Sequence, residues 1–305
     1  MCRFAMDGAL GPFRVAFWHG PAQFKACDLA GPSRRKTNCP GTGGWPVAGP
    51  ELSMFSLWQF PLLFGTGLVA GFVDSIAGGG GLITLPVLLS FGLSPQAALG
   101  TNKLQASFGS GSATWHYAQA GTVPLRDCVR GFALSFLGAA LGTMVVQQVD
   151  PSFLRRAIPG MLLAVAVYML VKPRLGTEDL HPRMARGWFD VLFGLGLGFY
   201  DGFLGPGTGT FWTMAFVLGL GFNLTRATGY TKVMNFASNL SSLGLFLLGG
   251  HVLFAAGLTM GAGQLLGARL GSRMVVAKGA KFIRPVFLAV VLALTLKLLY
   301  DACRG

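Results

Sequence analysis

Two aspartates stand inside otherwise apolar stretches, each just ahead of a run of glycines. Asp74 precedes Gly78-Gly79-Gly80-Gly81, and Asp201 precedes Gly205-Pro206-Gly207-Thr208-Gly209. An ionised carboxylate at membrane depth costs about 3 kcal/mol or more on insertion scales, so each is expected to face a cavity or a partner. Two roles fit both residues: carrying a coupling proton, or supporting the helix break by accepting hydrogen bonds from the amides it frees. The glycines let the backbone unwind and reverse. A helix that restarts after them presents bare N–H donors and partial positive charge, which is the chemistry of an anion site. The candidate ligands are Gly78, Gly79, Gly80 and Gly81 in one break and Gly205, Gly207, Thr208 and Gly209 in the other. The competing reading, that glycine merely permits tight helix packing, applies to Gly138/Gly142 and Gly263/Gly267/Gly271, where the spacing is small-xxx-small.

A third constellation runs Gly100-Thr101-Asn102-Lys103-Leu104-Gln105-Ala106-Ser107, matched later by the stretch from Gly229 through Lys232 and Asn235 to Asn239. At helical spacing Lys103 and Ser107 share a face, as do Lys232, Asn235 and Asn239. A lone lysine near the start of a span ordinarily snorkels to the interface. Two lysines at equivalent positions, each followed by amide or hydroxyl groups, point instead to a polar lining for an anion. Thr101, Asn102, Lys103, Gln105, Lys232, Asn235 and Asn239 therefore join the candidate site, and replacing either lysine with Ala is expected to abolish anion flux without loss of folded protein.

These residues need elements to hold them. Of the 305 residues, 52% are apolar and 11% charged, with mean hydropathy +0.57, which argues against ordinary water-soluble domains. The expected fold is all-α: a polytopic transmembrane bundle with glycine-broken helices and the lipid bilayer as its surroundings. Helical segments are expected near 57–77, 82–91, 95–119, 127–148, 151–172, 187–204, 208–220, 224–249, 252–276 and 282–300. Segments 82–91 and 208–220 are shorter than the roughly 20 residues a crossing needs. They read as half-helices, which lipid tolerates only where the freed backbone faces protein or a wet cavity.

The chain is internally duplicated. Gly71-Phe72-Val73-Asp74 matches Gly198-Phe199-Tyr200-Asp201 at an offset of 127. At an offset of 129, Gly100 and Lys103 meet Gly229 and Lys232, Leu137-Gly138-Ala139 meets Leu266-Gly267-Ala268, and Phe153 and Arg155 meet Phe282 and Arg284. This gives a membrane repeat over 54–172, a loop over 173–186 and a second repeat over 187–305. The two breaks are expected to converge near the midplane. If all ten segments cross, the Lys and Arg of the gaps, leaving the N-terminal tail aside, divide eleven to three between the two sides, which places the richer side in the cytoplasm and makes the halves inverted. Fusing each broken pair gives eight crossings and an almost even split.

Residues 1–53 differ, being rich in Gly, Pro and Arg, with a basic cluster at Arg34-Arg35-Lys36; they read as a disordered extension without a signal peptide. Met54 is a candidate translation start, which N-terminal sequencing of the natural product would settle. The formal charge of +13 sits mostly in short gaps between apolar runs, so membrane orientation explains it better than a nucleic-acid partner. The five cysteines lack zinc or disulfide spacing, and His116 and His251 lack a second metal-type ligand. No P-loop, HExxH or GxSxG motif occurs, so no enzyme activity, cofactor or metal is expected.

"GFVDSIAGGGGLITLP", "ALGTNKLQASFGS", "GFYDGFLGPGTGTF" and "KVMNFASN" closely resemble blocks of the TauE/SafE (TSUP) family of sulfite exporters and anion permeases, especially its YfcA-like branch, over about residues 57–302. The resemblance implies a bacterial inner-membrane, multi-pass carrier of two repeats, moving sulfur-containing or organic anions such as sulfite or sulfonates. It also implies that Asp74, the first glycine run, Thr101, Asn102, Lys103 and Gln105 belong to the first-half site, and Asp201, Gly205 to Gly209, Lys232, Asn235 and Asn239 to the second. Which anion moves, in which direction, and with what coupling do not carry over. An anion channel on the same scaffold is the alternative, and a homo-oligomer is left open.

Overall fold

The computed structural model describes residues 56–154, 157, 158, 160, 164 and 179–279. The extension over 1–53, the segment expected at 282–300, much of that expected at 151–172 and the start of the 173–186 loop lie outside the described residues. The protein is all-helical, with no strand among the described residues. The helices are α1 (Gln59–Ala77), α2 (Gly80–Ser90), α3 (Pro95–Gln119), α4 (Val129–Gln148), α5 (Arg186–Phe203), α6 (Thr208–Leu220), α7 (Leu224–Leu248) and α8 (Phe254–Lys278). A short 3-10 turn, Leu125–Cys128, leads into α4, so that helix starts later than its apolar pattern implied.

Local chemistry fixes several of these ends. Ser94 caps α3 by accepting the Ala97 amide, with Pro95 in the first turn, where a missing N–H costs nothing. Asn223 caps α7 in the same way, accepting the Arg226 amide at 2.9 Å. Helix α1 ends on Gly78 in the left-handed conformation, φ +77°, and α6 is preceded by Gly207 at φ +76°. L-residues avoid that region, so each break is written by a glycine. Helix α2 begins at Gly80, two residues earlier than the apolar run predicts, because the Asp74 carboxylate accepts the Gly80 amide and lets the glycines form the first turn.

Two helix pairs pack most intimately: α1 against α8, and α4 against α5. In both, glycines face backbone directly. A Cβ on Gly263 or Gly267 would lie 2.2 or 2.0 Å from the carbonyl oxygen of Phe64 or Leu68, and one on Gly138 or Gly142 would lie 2.5 or 2.1 Å from that of Leu195 or Phe199. The small-xxx-small reading of these residues holds, since only hydrogen fits between such axes.

Large apolar side chains lie on the outside as well as in two buried apolar clusters, and a group of polar and charged side chains is buried with them. Leu62 and Val69 of α1, Leu137 and Leu141 of α4, Leu192 of α5 and Leu266 and Leu270 of α8 are exposed, while Lys103, Gln105, Asp201, Lys232, Asn235, Asn239 and Gln264 are buried. Helices α1 and the stretch Leu125–Gln148 are long and apolar enough to cross a membrane, and α2 and α6 are shorter apolar helices. An apolar exterior with polar and charged side chains withdrawn inside is the arrangement hydrocarbon demands.

Candidate functional site

The two glycine breaks meet. A Cβ on Gly78 would lie 2.4 Å from the carbonyl carbon of Gly209, and one on Gly209 would lie 2.6 Å from the Cα of Gly78. The contact is therefore backbone on backbone. Thr210 fastens it by donating its hydroxyl to the Ala77 carbonyl at 3.0 Å. Thus α2 and α6 begin beside one another, and their N-termini border a polar cavity of about 30 Å³, room for roughly two waters.

The first amides of a helix have no intrahelical acceptor. In α2 the Gly80 amide goes to Asp74 and that of Leu82 to the Gly79 carbonyl; in α6 the amides of Thr208, Thr210 and Phe211 go to the carbonyls of Gly205 and Gly207. The amides of Gly81 and Gly209 have no acceptor among the described residues, and both glycines line the cavity. Each break thus brings one such glycine to the same space, where the N-termini of α2 and α6 adjoin the C-termini of α1 and α5.

The lysines and aspartates are paired crosswise. Lys103 on α3 donates to the Asp201 carboxylate at 2.8 Å and to the Asp201 main-chain carbonyl at 2.6 Å. Lys232 on α7 donates to the Asp74 carboxylate at 2.9 Å. Each lysine thus passes over the aspartate nearer in sequence and reaches the one beside the other break. Asp201 also accepts hydroxyl hydrogens from Thr208 and Ser238, and Lys103 reaches the Asn239 side-chain oxygen at 3.4 Å. Both lysines are fully buried, so removing one alone would strand a carboxylate. The expectation that an alanine substitution there leaves folding intact therefore does not follow from this geometry.

Most candidates from the sequence come together here. Asp74, Gly78, Gly80, Gly81, Asn102, Lys103, Asp201, Gly205, Gly207, Thr208, Gly209, Asn235 and Asn239 line the cavity. Thr101 instead accepts the Leu253 amide at 3.0 Å, and Gln105 donates to Asn102 at 2.7 Å and to Thr84 at 3.2 Å. Gly79 and Lys232 stand behind the lining through the break and through Asp74. Ser107 turns back onto the Lys103 carbonyl. Gln264 of α8 was not singled out from the sequence, yet it lines the cavity, and its amide end lies in a slot left by Gly71 and Gly109. Its only sequence signal was a polar side chain in an otherwise small and apolar run. No group of metal-ligating side chains occurs among the described residues.

Broken helices meeting around a buried charged cavity, inside an apolar exterior, define a membrane-embedded helical protein. The comparisons with known proteins agree. The family model described as "Sulfite exporter TauE/SafE" matches residues 63–298, and the chain belongs to that family. It is 48% identical over 240 residues to a Haemophilus influenzae protein named "Probable membrane transporter protein", covering 79% of this chain and 94% of that one. It is 46% identical over 252 residues to the Escherichia coli K12 protein named "Probable membrane transporter protein YfcA", covering 83% and 94%. A Bacillus subtilis protein named "Probable membrane transporter protein YunE" is 24% identical over 273 residues, covering 80% and 98%. No solved structure matches the chain.

Proposed function

We propose that this protein is a secondary transporter of small anions, sulfur-containing or organic, such as sulfite or sulfonates, and acts as a multi-pass carrier in the bacterial inner membrane rather than as an enzyme. The observation that carries the reading is the convergence of two helix N-termini, with the free amides of Gly81 and Gly209, on a cavity flanked by buried Lys103 and Lys232. The anion's oxygens take the two amides while the ammonium groups supply attraction from behind. The duplicated halves are read as inverted repeats that rock about this point.

The crosswise ion pairs give the rocking a chemical handle. Lys103 ties α3 to α5, and Lys232 ties α7 to α1. A proton taken up by Asp74 or Asp201 would release its lysine toward the anion, which would couple proton and anion movement. The relatives are named probable membrane transporters, and the cavity has room for only about two waters. The channel alternative finds no support in either.

Counterflow tests the proposal. Proteoliposomes loaded with unlabelled sulfite should take up external radiolabelled sulfite faster than empty ones, with saturation. Equal uptake by loaded and empty vesicles across a panel of sulfite, thiosulfate and sulfonates would refute it. An imposed pH gradient that leaves the flux of a fixed-charge sulfonate unchanged would remove the proton coupling alone.

A further inference from the structure

Helices α3 and α8 run side by side in one direction and in one register. Leu104 of α3 meets Gly257 of α8, where an added Cβ would lie 2.6 Å from the leucine side chain, and Phe108 meets Gly261 at 2.7 Å. Four residues further along both helices, the Ser112 hydroxyl donates to the Leu265 carbonyl at 3.0 Å. The pairing advances one turn on each helix at every step, so the next step places His116 beside Arg269. Arg273 follows one turn later, and the charges of both arginines reach His116. Three basic side chains thus gather toward the C-terminal ends of the two helices, Arg269 half-buried and Arg273 exposed. Neither arginine has a carboxylate partner among the described residues.

An internal control lies 129 residues away in the sequence. Moving Ser112 forward and Leu265 back by that offset gives Ser241 and Phe136, and the Ser241 hydroxyl donates to the Phe136 carbonyl at 2.7 Å. Helices α7 and α4 therefore make the same contact. There the positions of His116, Arg269 and Arg273 are held by Leu245, Ala140 and Met144. Helix packing of this kind does not need the cations.

The surroundings point to what the cations meet. Leu266 and Leu270 stand one turn before Arg269 and Arg273 on α8 and are 47% and 50% exposed, and Trp115, next to His116, is 60% exposed. A cationic cluster with an apolar strip leading away from it and an indole at its edge matches a lipid headgroup above its acyl chains. A zwitterionic lipid would bring a cation of its own to the cluster, whereas an anionic one supplies only the charge that two unpaired guanidinium groups lack.

We propose that the C-terminal ends of α3 and α8 form a binding site for an anionic phospholipid, with Arg269 and Arg273 on the phosphate oxygens, His116 donating to them, and an acyl chain along Leu266 and Leu270. The site requires the protein to sit in a bilayer and is independent of the transport reading.

Native mass spectrometry of the detergent-purified chain, titrated with phosphatidylglycerol and with phosphatidylcholine, tests the proposal. Phosphatidylglycerol should bind more tightly. Its affinity should fall about 5-fold in Arg273→Gln and about 30-fold in Arg269→Gln/Arg273→Gln, while that of phosphatidylcholine stays put. Arg183→Gln, at an exposed arginine ahead of α5, should leave the preference intact. Because Arg273 is exposed, its single variant reads the site even if the double variant folds poorly. Equal affinities for the two lipids, or an undiminished preference in Arg273→Gln, would overturn the proposal. Displacement of phosphatidylglycerol by inorganic phosphate at comparable concentration would overturn it too, since the cluster would then hold a free anion rather than a lipid.

Discussion

Adding a single methyl group at either of two glycines three residues apart should separate folding from transport. Gly78 adopts φ +77°, and an added Cβ would lie 2.4 Å from the Gly209 carbonyl carbon. The left-handed conformation costs a non-glycine residue roughly 1–2 kcal/mol. Forcing the two backbones apart adds roughly 1–3 kcal/mol. Gly78→Ala should therefore lose roughly 2–5 kcal/mol, a fall in Tm of about 4–20 °C for a body of this size. Gly81 is already helical, and its added Cβ would meet only Pro206 Cα at 3.7 Å and the Asn102 amide nitrogen at 3.8 Å, ordinary contacts. Alanine also favours helix over glycine by up to about 1 kcal/mol. Gly81→Ala should keep or raise Tm while placing a methyl group beside the free amides, in a cavity of about 30 Å³. Thermal unfolding in detergent and sulfite counterflow on the same preparations read both effects, and the Gly81→Ala rate should fall at least about 10-fold. Wild-type transport by Gly81→Ala would show that this cavity is not on the substrate's path. An unchanged Tm for Gly78→Ala would show that the breaks do not touch.

Other consequences follow from contacts already described. Lys103→Met alone should lose about 3–5 kcal/mol by stranding Asp201, and Lys103→Met/Asp201→Asn should recover much of it, a coupling that a double-mutant cycle of unfolding free energies measures. Gly267→Leu and Gly142→Leu should disrupt the α1/α8 and α4/α5 pairs and lower the yield of folded protein in size-exclusion profiles, whereas Gly65→Ala, which meets nothing within 4 Å, should not. Burial lowers the pKa of His251, in the loop between α7 and α8, below its usual 6.5. The unfolded chain then binds the proton more readily, so this contribution to stability is complete above about pH 6.5 and is lost as the pH falls through the depressed value. The Tm difference between pH 8 and pH 5 should shrink in His251→Asn.

The sequence was most legible where a local signal decided the structure. Ser94-Pro95 starts α3 where its apolar pattern starts, and Gly207 and Gly221 bracket α6 at both ends with left-handed glycines. The acid-before-glycine pattern at Asp74 and Asp201 located both breaks, because unwinding needs both residue types close together in the chain. Long-range pairing left no such mark. Asp74 and Lys103 lie in the same half of the chain, and nothing in their spacing reveals that each finds its partner 158 or 98 residues away. Gln264 escaped notice because its slot is made by Gly71 and Gly109 on two other helices. Thr101 was grouped with the site by adjacency, yet one residue along a helix turns a side chain by about 100°, and it serves the start of α8 instead.

The crossed ion pairs bear on whether either half of the chain can stand alone. Each half of the chain supplies one acid and one base to these pairs, and the two do not meet within that half. A solitary half would carry both charges into hydrocarbon without their partners, whereas the two halves together neutralise each other reciprocally. Mutual dependence of this sort resists separation: the two segments expressed as separate polypeptides should accumulate together, and neither should persist without its counterpart.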